Sequence, residues 1–177
     1  GDVTLRIEPL EAGSGLVFES EITGATLPTE YFGPVEQGFK EAAQSGVVAG
    51  HPVVDIKAIL IDGSHHEVDS SEVAFKIASS MAFKEACQKA SPFILEPVML
   101  MEVVTPEEFL GDVLGDLQSR RAQVQSMEPQ AGLQIVKAHV PLAETFQYAT
   151  ILRSNTTGRA SFTQELDHYA PAPMKDK

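Results

Sequence analysis

Positive charge is what this chain has least of. Its 177 residues hold 13 Lys and Arg against 25 Asp and Glu, a net charge of −12. Binding nucleic acid through a broad basic face is thereby excluded, and any RNA contact must be made through local basic or polar points. The deficit is uneven: residues 1–96 carry 15 acidic and six basic side chains, residues 97–177 ten and seven. An acid-rich first half serves solubility or imitates a nucleic acid's own charge. Cysteine is nearly absent. Cys87 stands alone, so there is no internal disulfide and no cysteine zinc cluster, which fits a reducing cytosol. It lies in an Ala-rich helical stretch and reads as a small buried hydrophobe. No apolar run is long enough to span a membrane, and no signal-peptide pattern opens the chain. The pattern GxxxxGK[ST] is missing, so no P-loop holds a nucleotide here. Neither HExxH nor a convincing Ser/His/Asp or Cys/His set is present.

What is present is patterned apolar sequence in two blocks. Hydrophobic residues make up 43% of the chain, enough for one or two domains with real cores. The opening, Gly1-Asp2 followed at once by alternating Val3-Thr4-Leu5-Arg6-Ile7, reads as a piece cut from a longer protein. The first block predicts strand (3–8), strand (16–23), helix (28–45), strand (53–61) and helix (70–90). Pro28 opens the first helix, Pro34 splits off its initial turn, and Gly46 ends it. The second helix has two apolar stripes, one of Ala74, Ile77, Ala78 and Met81, the other of Phe75, Ala82, Phe83 and Ala86. Together they predict deep packing on a wide face.

Ser91-Pro92 stops that helix, and the domain boundary falls between Pro92 and Pro97, giving domains 1–95 and 96–177. The second domain shows a faint repeat. A strand (98–104), a helix from Pro106 to Arg121 and a strand are followed by a strand (135–140), a helix from Pro141 to Ser154 and a strand. A turn at residues 129–132 joins the two units. Two such units make the ferredoxin-like split βαβ arrangement. Thr105 and Glu108 form a capping-box pattern. Gly111 and Gly115 suggest close helix–sheet packing. The tail after Tyr169, rich in Pro, Lys and Asp, is expected to fray.

The densest cluster of polar signals is Asp62-Gly63-Ser64-His65-His66-Glu67-Val68-Asp69-Ser70-Ser71-Glu72. Asp62-Gly63 is a turn dipeptide that would end the strand. Asp69 with Glu72 would cap the following helix. The two histidines then sit on a short loop held at both ends. Adjacent histidines in extended chain point in opposite directions and rarely ligate one metal. Imidazole offers a donor, an acceptor and a stacking surface, which suits RNA grooves and unstacked bases. The remaining histidines, His51, His139 and His168, look isolated and receive no function.

The segments PVVDIKAILIDGSHHEVDSSEVAFK, ILEPVMLMEVVTPEEFLGDVLGDLQSRR, HVPLAETFQYATILRSNTTGRASF and DHYAPAP closely resemble the fourth and fifth domains of bacterial elongation factor G, in order and over nearly the whole chain. The resemblance implies an α+β protein of two domains. The first is a ribosomal protein S5 domain 2-like α/β sandwich, the second a ferredoxin-like βαββαβ domain. It implies a tip loop of Gly63, Ser64, His65, His66, Glu67, Asp69 and Ser70 that reaches the decoding site and contacts the tRNA–mRNA helix during translocation. The family usually has Tyr-His in this loop; here His65 replaces Tyr and His66 keeps the histidine. A neighbouring tip loop in the family lies upstream of Gly1, where the family commonly has a histidine after the glycine and this chain has Asp2.

In the second domain the resemblance points to Arg120 and Arg121, near large-subunit RNA or the stalk-base proteins. Cations at a helix end also suit the helix dipole with no further role. Arg153 and Arg159 flank the loop Ser154-Asn155-Thr156-Thr157-Gly158, which has the composition of a phosphate-holding turn. The family usually has Gly where this chain has Ala122 and Gln147, and another residue at Thr157.

The resemblance thus implies a monomeric, cytoplasmic ribosome-binding protein with no catalytic site, metal or cofactor in this stretch. GTP and magnesium would be bound by GTPase domains elsewhere in the protein. The alternatives are a paralogue acting in ribosome recycling or protection, suggested by Asp2, His65 and Gln147; a metal-dependent enzyme built on His65, His66 and Asp69; and a structural module with no ribosomal contact.

Overall fold

The computed structural model describes residues 1–66 and 71–173. It divides into two units, Gly1–Ile94 and Leu95–Lys177. No helix among the described residues is long and apolar enough to cross a membrane.

The first unit is a three-stranded mixed sheet with two helices on it. Strands β1 (Asp2–Pro9), β2 (Leu16–Ser20) and β3 (Ile56–Ser64) lie in the order β1-β3-β2. β1 runs antiparallel to β3, and β2 runs parallel to it. Helix α1 (Phe32–Ser45) follows a 3₁₀ turn at Thr29–Tyr31, so Pro34 tolerates its place in the first turn, where no intrahelical N–H is needed. Gly46 closes α1 at φ +78°. Helix α2 (Glu72–Lys89) lies against α1. Phe39, Ala42 and Ala43 of α1, Ala58 of β3, and Phe83 and Cys87 of α2 form one core cluster. Leu27, Val35, Leu60 and Phe75 form a second. The helices approach closely at Gly38, where a Cβ would stand 2.2 Å from the Lys76 carbonyl oxygen. Nearby, the buried Ser79 hydroxyl donates to the Val35 carbonyl at 2.6 Å.

The second unit is a four-stranded antiparallel sheet with two helices, in the ferredoxin-like order. Its elements are β4 (Leu95–Pro106), α3 (Leu110–Ser119), β5 (Gln123–Gln130), β6 (Leu133–Pro141), α4 (Tyr148–Asn155) and β7 (Ser161–Pro171), and its strand order is β5-β6-β4-β7. The repeat seen in sequence is physical: each of β4 and β6 ends in a proline, enters a 3₁₀ turn and leads to a helix. Ala131 and Gly132, both at positive φ, form the two-residue turn between β5 and β6. Along β6, Val136, Ala138 and Val140 are buried against Val113, Leu117, Tyr148 and Leu152. The intervening Lys137 and His139 therefore lie on the opposite face.

Several local expectations give way to tertiary context. Asp62-Gly63 is not a turn. Both residues lie inside β3, paired with Thr4 and Val3, because β1 offers them a ladder. The glycine is required by packing instead: a Cβ at Gly63 would come within 2.9 Å of buried Leu27 and 3.1 Å of the Asp2 carbonyl. The cap of α2 is Ser71, whose hydroxyl accepts from the Ala74 amide at 3.1 Å; Asp69, the expected cap, lies outside the described residues. Thr105 and Glu108 form no capping box. Thr105 is buried and its hydroxyl donates to the Pro106 carbonyl, while Glu108 pairs with Arg159. Gly111 and Gly115 face open space rather than the sheet. The wide apolar face of α2 is only half used. Phe75, Ser79, Phe83 and Cys87 are buried, whereas Val73, Ile77 and Met81 are 64%, 55% and 66% exposed.

Candidate ribosome-contact surfaces

The tip of the first unit is built where β1 begins, β3 ends and both helices start. Asp2 pairs with Ser64 across the sheet, placing His65 and His66 directly beyond the last ladder position. The two histidines have different fates. His65 is half-buried, its ring 5.3 Å from that of Tyr31, which in turn lies 4.4 Å from Phe75. The three rings form a stack that ties the end of β3 to the starts of α1 and α2, contributing about 1 kcal/mol per aromatic contact. His66 is exposed. Gly63 is buried and Ser64 partly so; Glu67, Asp69 and Ser70 lie outside the described residues, as does any metal set that needs Asp69.

Electrostatics at this end do not favour phosphate. Asp2, Asp62 and Glu72 belong to the segments that meet at the tip. Of the six basic residues in the first unit, Arg6, Lys40, Lys57, Lys76 and Lys89 are already in ion pairs with its own glutamates. Contact here must rest on polar and ring groups rather than on net charge.

The second unit's arginines divide as well. Arg120, with a side chain 13% exposed, pairs with Asp116 at 2.9 Å. It also donates to the carbonyls of Glu144 (2.6 Å) and Phe146 (3.1 Å), and it lies over the Tyr148 ring. This guanidinium cross-links the end of α3 to the segment leading into α4. Arg121, at φ +56°, grips Glu96 with both terminal nitrogens (3.0 and 3.1 Å) and reaches Glu144 at 3.3 Å. These carboxylates, Glu96 foremost, raise its already high pKa. Arg159 pairs with Glu108 and lies over Phe109. Arg153 is exposed and makes no ion pair with a described residue.

The loop of residues 154–158 is not a phosphate cradle. The amides of Thr156, Gly158, Arg159 and Ala160 all donate within the loop or to the end of α4, and the buried Thr156 hydroxyl donates to Leu152. Gln147 sits at φ +60° at the start of α4, a left-handed position that costs a non-glycine residue roughly 1 kcal/mol.

Two histidines read from sequence as isolated are brought together. His139 and His168 both approach Asp167, at 3.4 and 2.6 Å. The signal was out of reach of spacing rules, because a 3₁₀ turn, helix α4 and the first half of β7 separate His139 from its partners in the chain.

Residues 1–91 match the family described as elongation factor G, domain IV, and residues 93–177 match elongation factor G C-terminus. The chain belongs to the elongation factor G family. A crystal structure of a protein from Thermus thermophilus is 48% identical to it, with a TM-score of 0.84. The match covers 98% of this chain and 26% of that one. The two units are thus the fourth and C-terminal domains of an elongation factor G-type translation factor, and neither has the family's nucleotide site.

Proposed function

We propose that this chain is the ribosome-engaging end of a translocase, with the tip at His66 entering the decoding site beside the tRNA–mRNA helix. The observation that carries this reading is the split between neighbours: His65 is packed into the Tyr31–Phe75 stack, and that leaves His66 presented from a fixed base. A rigid probe that binds one ribosomal state more tightly than another shifts the population toward it without bond chemistry. Gly63 and Ser64 set the base; Glu67, Asp69 and Ser70 complete the loop in sequence. Of the C-terminal domain's four arginines, Arg153 is the one without an ion pair to a described residue and so the one available to large-subunit RNA or stalk-base proteins. Arg121 and Arg159 are available only by exchanging their own carboxylates, and Arg120 acts as an internal brace between the end of α3 and the segment leading into α4. GTP and magnesium belong to other domains of the whole protein, which works as a cytoplasmic monomer.

The test uses the full-length factor in a reconstituted translocation assay. His66→Ala is expected to slow translocation about tenfold or more while GTP hydrolysis persists. Unchanged translocation in the variant would overturn the role of His66. A second reading, a paralogue that recycles or protects ribosomes, is favoured by Gln147 holding a left-handed position where the family usually has Gly. In the same assay, wild type that hydrolyses GTP without translocating would select that reading.

A further inference from the structure

We propose that His139, Asp167 and His168 form a binding site for a divalent transition-metal ion of the zinc type, on the helix-free face of the C-terminal domain's sheet. The three donors arise from a register device. Along β7, Leu166 pairs with Met99 and His168 with Val98, so Asp167 is the extra residue of a bulge. In a bulge two residues oppose one, which takes them out of strict alternation. Asp167 and His168 therefore turn to the same side of the sheet. His139 reaches that side from β6, where it pairs with Leu100, and β6 and β7 flank β4 from its two edges. The imidazoles lean over β4 toward each other, with ring centroids 5.2 Å apart and planes at 74°.

The donor atoms are His139 Nε2, Asp167 Oδ2 and His168 Nδ1, all within 4.8 Å of one another. The two nitrogens stand 3.4 and 2.6 Å from the shared oxygen. A tetrahedral ion with bonds of about 2.0–2.1 Å separates its ligands by about 3.3 Å. The first distance already fits, and the second opens by about 0.7 Å when an ion replaces the hydrogen bond. Two imidazoles and one carboxylate are a donor set suited to Zn²⁺ rather than to Ca²⁺ or Mg²⁺, which prefer oxygen. The side chains are 26%, 36% and 45% exposed, so an ion can enter and keep a fourth position for water or a group from a partner. Glu165, which faces His139 across Leu100, adds negative potential, while Lys137 opposes it from two residues before His139. Among the described residues this is the one set of three such donors that converges.

Calorimetric titration of the 177-residue chain with ZnCl₂ in chelator-free buffer tests the site. The expected result is saturable binding of one ion at this site, weakened at least about tenfold by Asp167→Asn or by His168→Gln. Both changes are at exposed positions that the core does not use. Co²⁺ should give a visible absorption band in wild type that either variant abolishes, and His51→Ala should leave both signals unchanged. Absence of saturable binding overturns the proposal. So does binding that survives Asp167→Asn and His168→Gln together, including binding that disappears only with His66→Ala. Because the readout is metal occupancy in the isolated chain, failure of the translocation reading leaves it standing, and the reverse also holds.

Discussion

The tip of the first unit and the arginine end of the second treat their polar side chains in opposite ways. At the tip, the fold secures one imidazole and exposes its neighbour: His65 enters an aromatic stack and His66 is presented. At the end of α3 the fold retains both members of the pair, Arg120 inside a web of carbonyls and Asp116, Arg121 in a fork against Glu96. Two adjacent residues of one kind thus mean different things depending on what the fold can offer them. The contrast also qualifies the charge count. Most cations of this chain are neutralised locally, so the surface available to a polyanion is poorer in positive charge than the composition suggests.

The close helix–helix approach in the first unit can be broken without touching the second. Gly38→Ala would force a methyl group onto the Lys76 carbonyl, and backbone cannot yield as a flexible side chain would. The expected loss is about 3 kcal/mol, read by urea denaturation. Hydrogen exchange should quicken in residues 1–94 and hold its rate in the C-terminal domain. A loss shared equally by both would dissolve the distinction between the units.

A smaller effect separates the arginines from one another. Arg120→Ala leaves Asp116 and two carbonyls without their donor and should cost about 2 kcal/mol, whereas Arg153→Ala should change stability by less than about 0.5 kcal/mol. In ribosome binding the order reverses for folded variants, with Arg153→Ala the more damaging. Equal stability costs would show that the web around Arg120 is ornamental.

The smallest effect sharpens the comparison at the tip. His65→Ala should destabilise by about 1 kcal/mol through the lost ring contact, and His65→Phe should restore most of it. His66→Ala, at an exposed position, should cost less than His65→Ala. If the two alanine variants melt alike, the split between presented and packed histidine fails.

The order of elements was legible in sequence because prolines and glycines mark it at Pro28, Gly46, Pro92, Pro106 and Pro141, and the apolar periods between them agree. What misled was local chemistry with a nonlocal solution. Asp62-Gly63 has the composition of a turn, yet a partner strand more than 50 residues away extends β3 through it. The two stripes of α2 look equivalent in sequence, and only the position of α1 and the sheet decides that Phe75 and Phe83 go in while Ile77 and Met81 stay out. At the tip, the family pattern singled out His66, which the structure leaves exposed. The packing of His65 was not legible, since Tyr31 lies a helix and a strand earlier in the chain. The His139–Asp167–His168 group depends on a bulge, which one sequence does not announce.

The place of the tip in the sheet has a mechanical consequence. His66 follows the last residues of β3, the central strand, which is held by β1 on one side and β2 on the other. The hydrogen bonds of both ladders run across the strand direction. A load applied to the tip along β3 is therefore carried in shear, shared by many bonds at once, whereas a tip mounted on an edge strand would be peeled off one bond at a time. A single-molecule pulling experiment through residue 66 would find this unit stiffest along the axis in which its probe points.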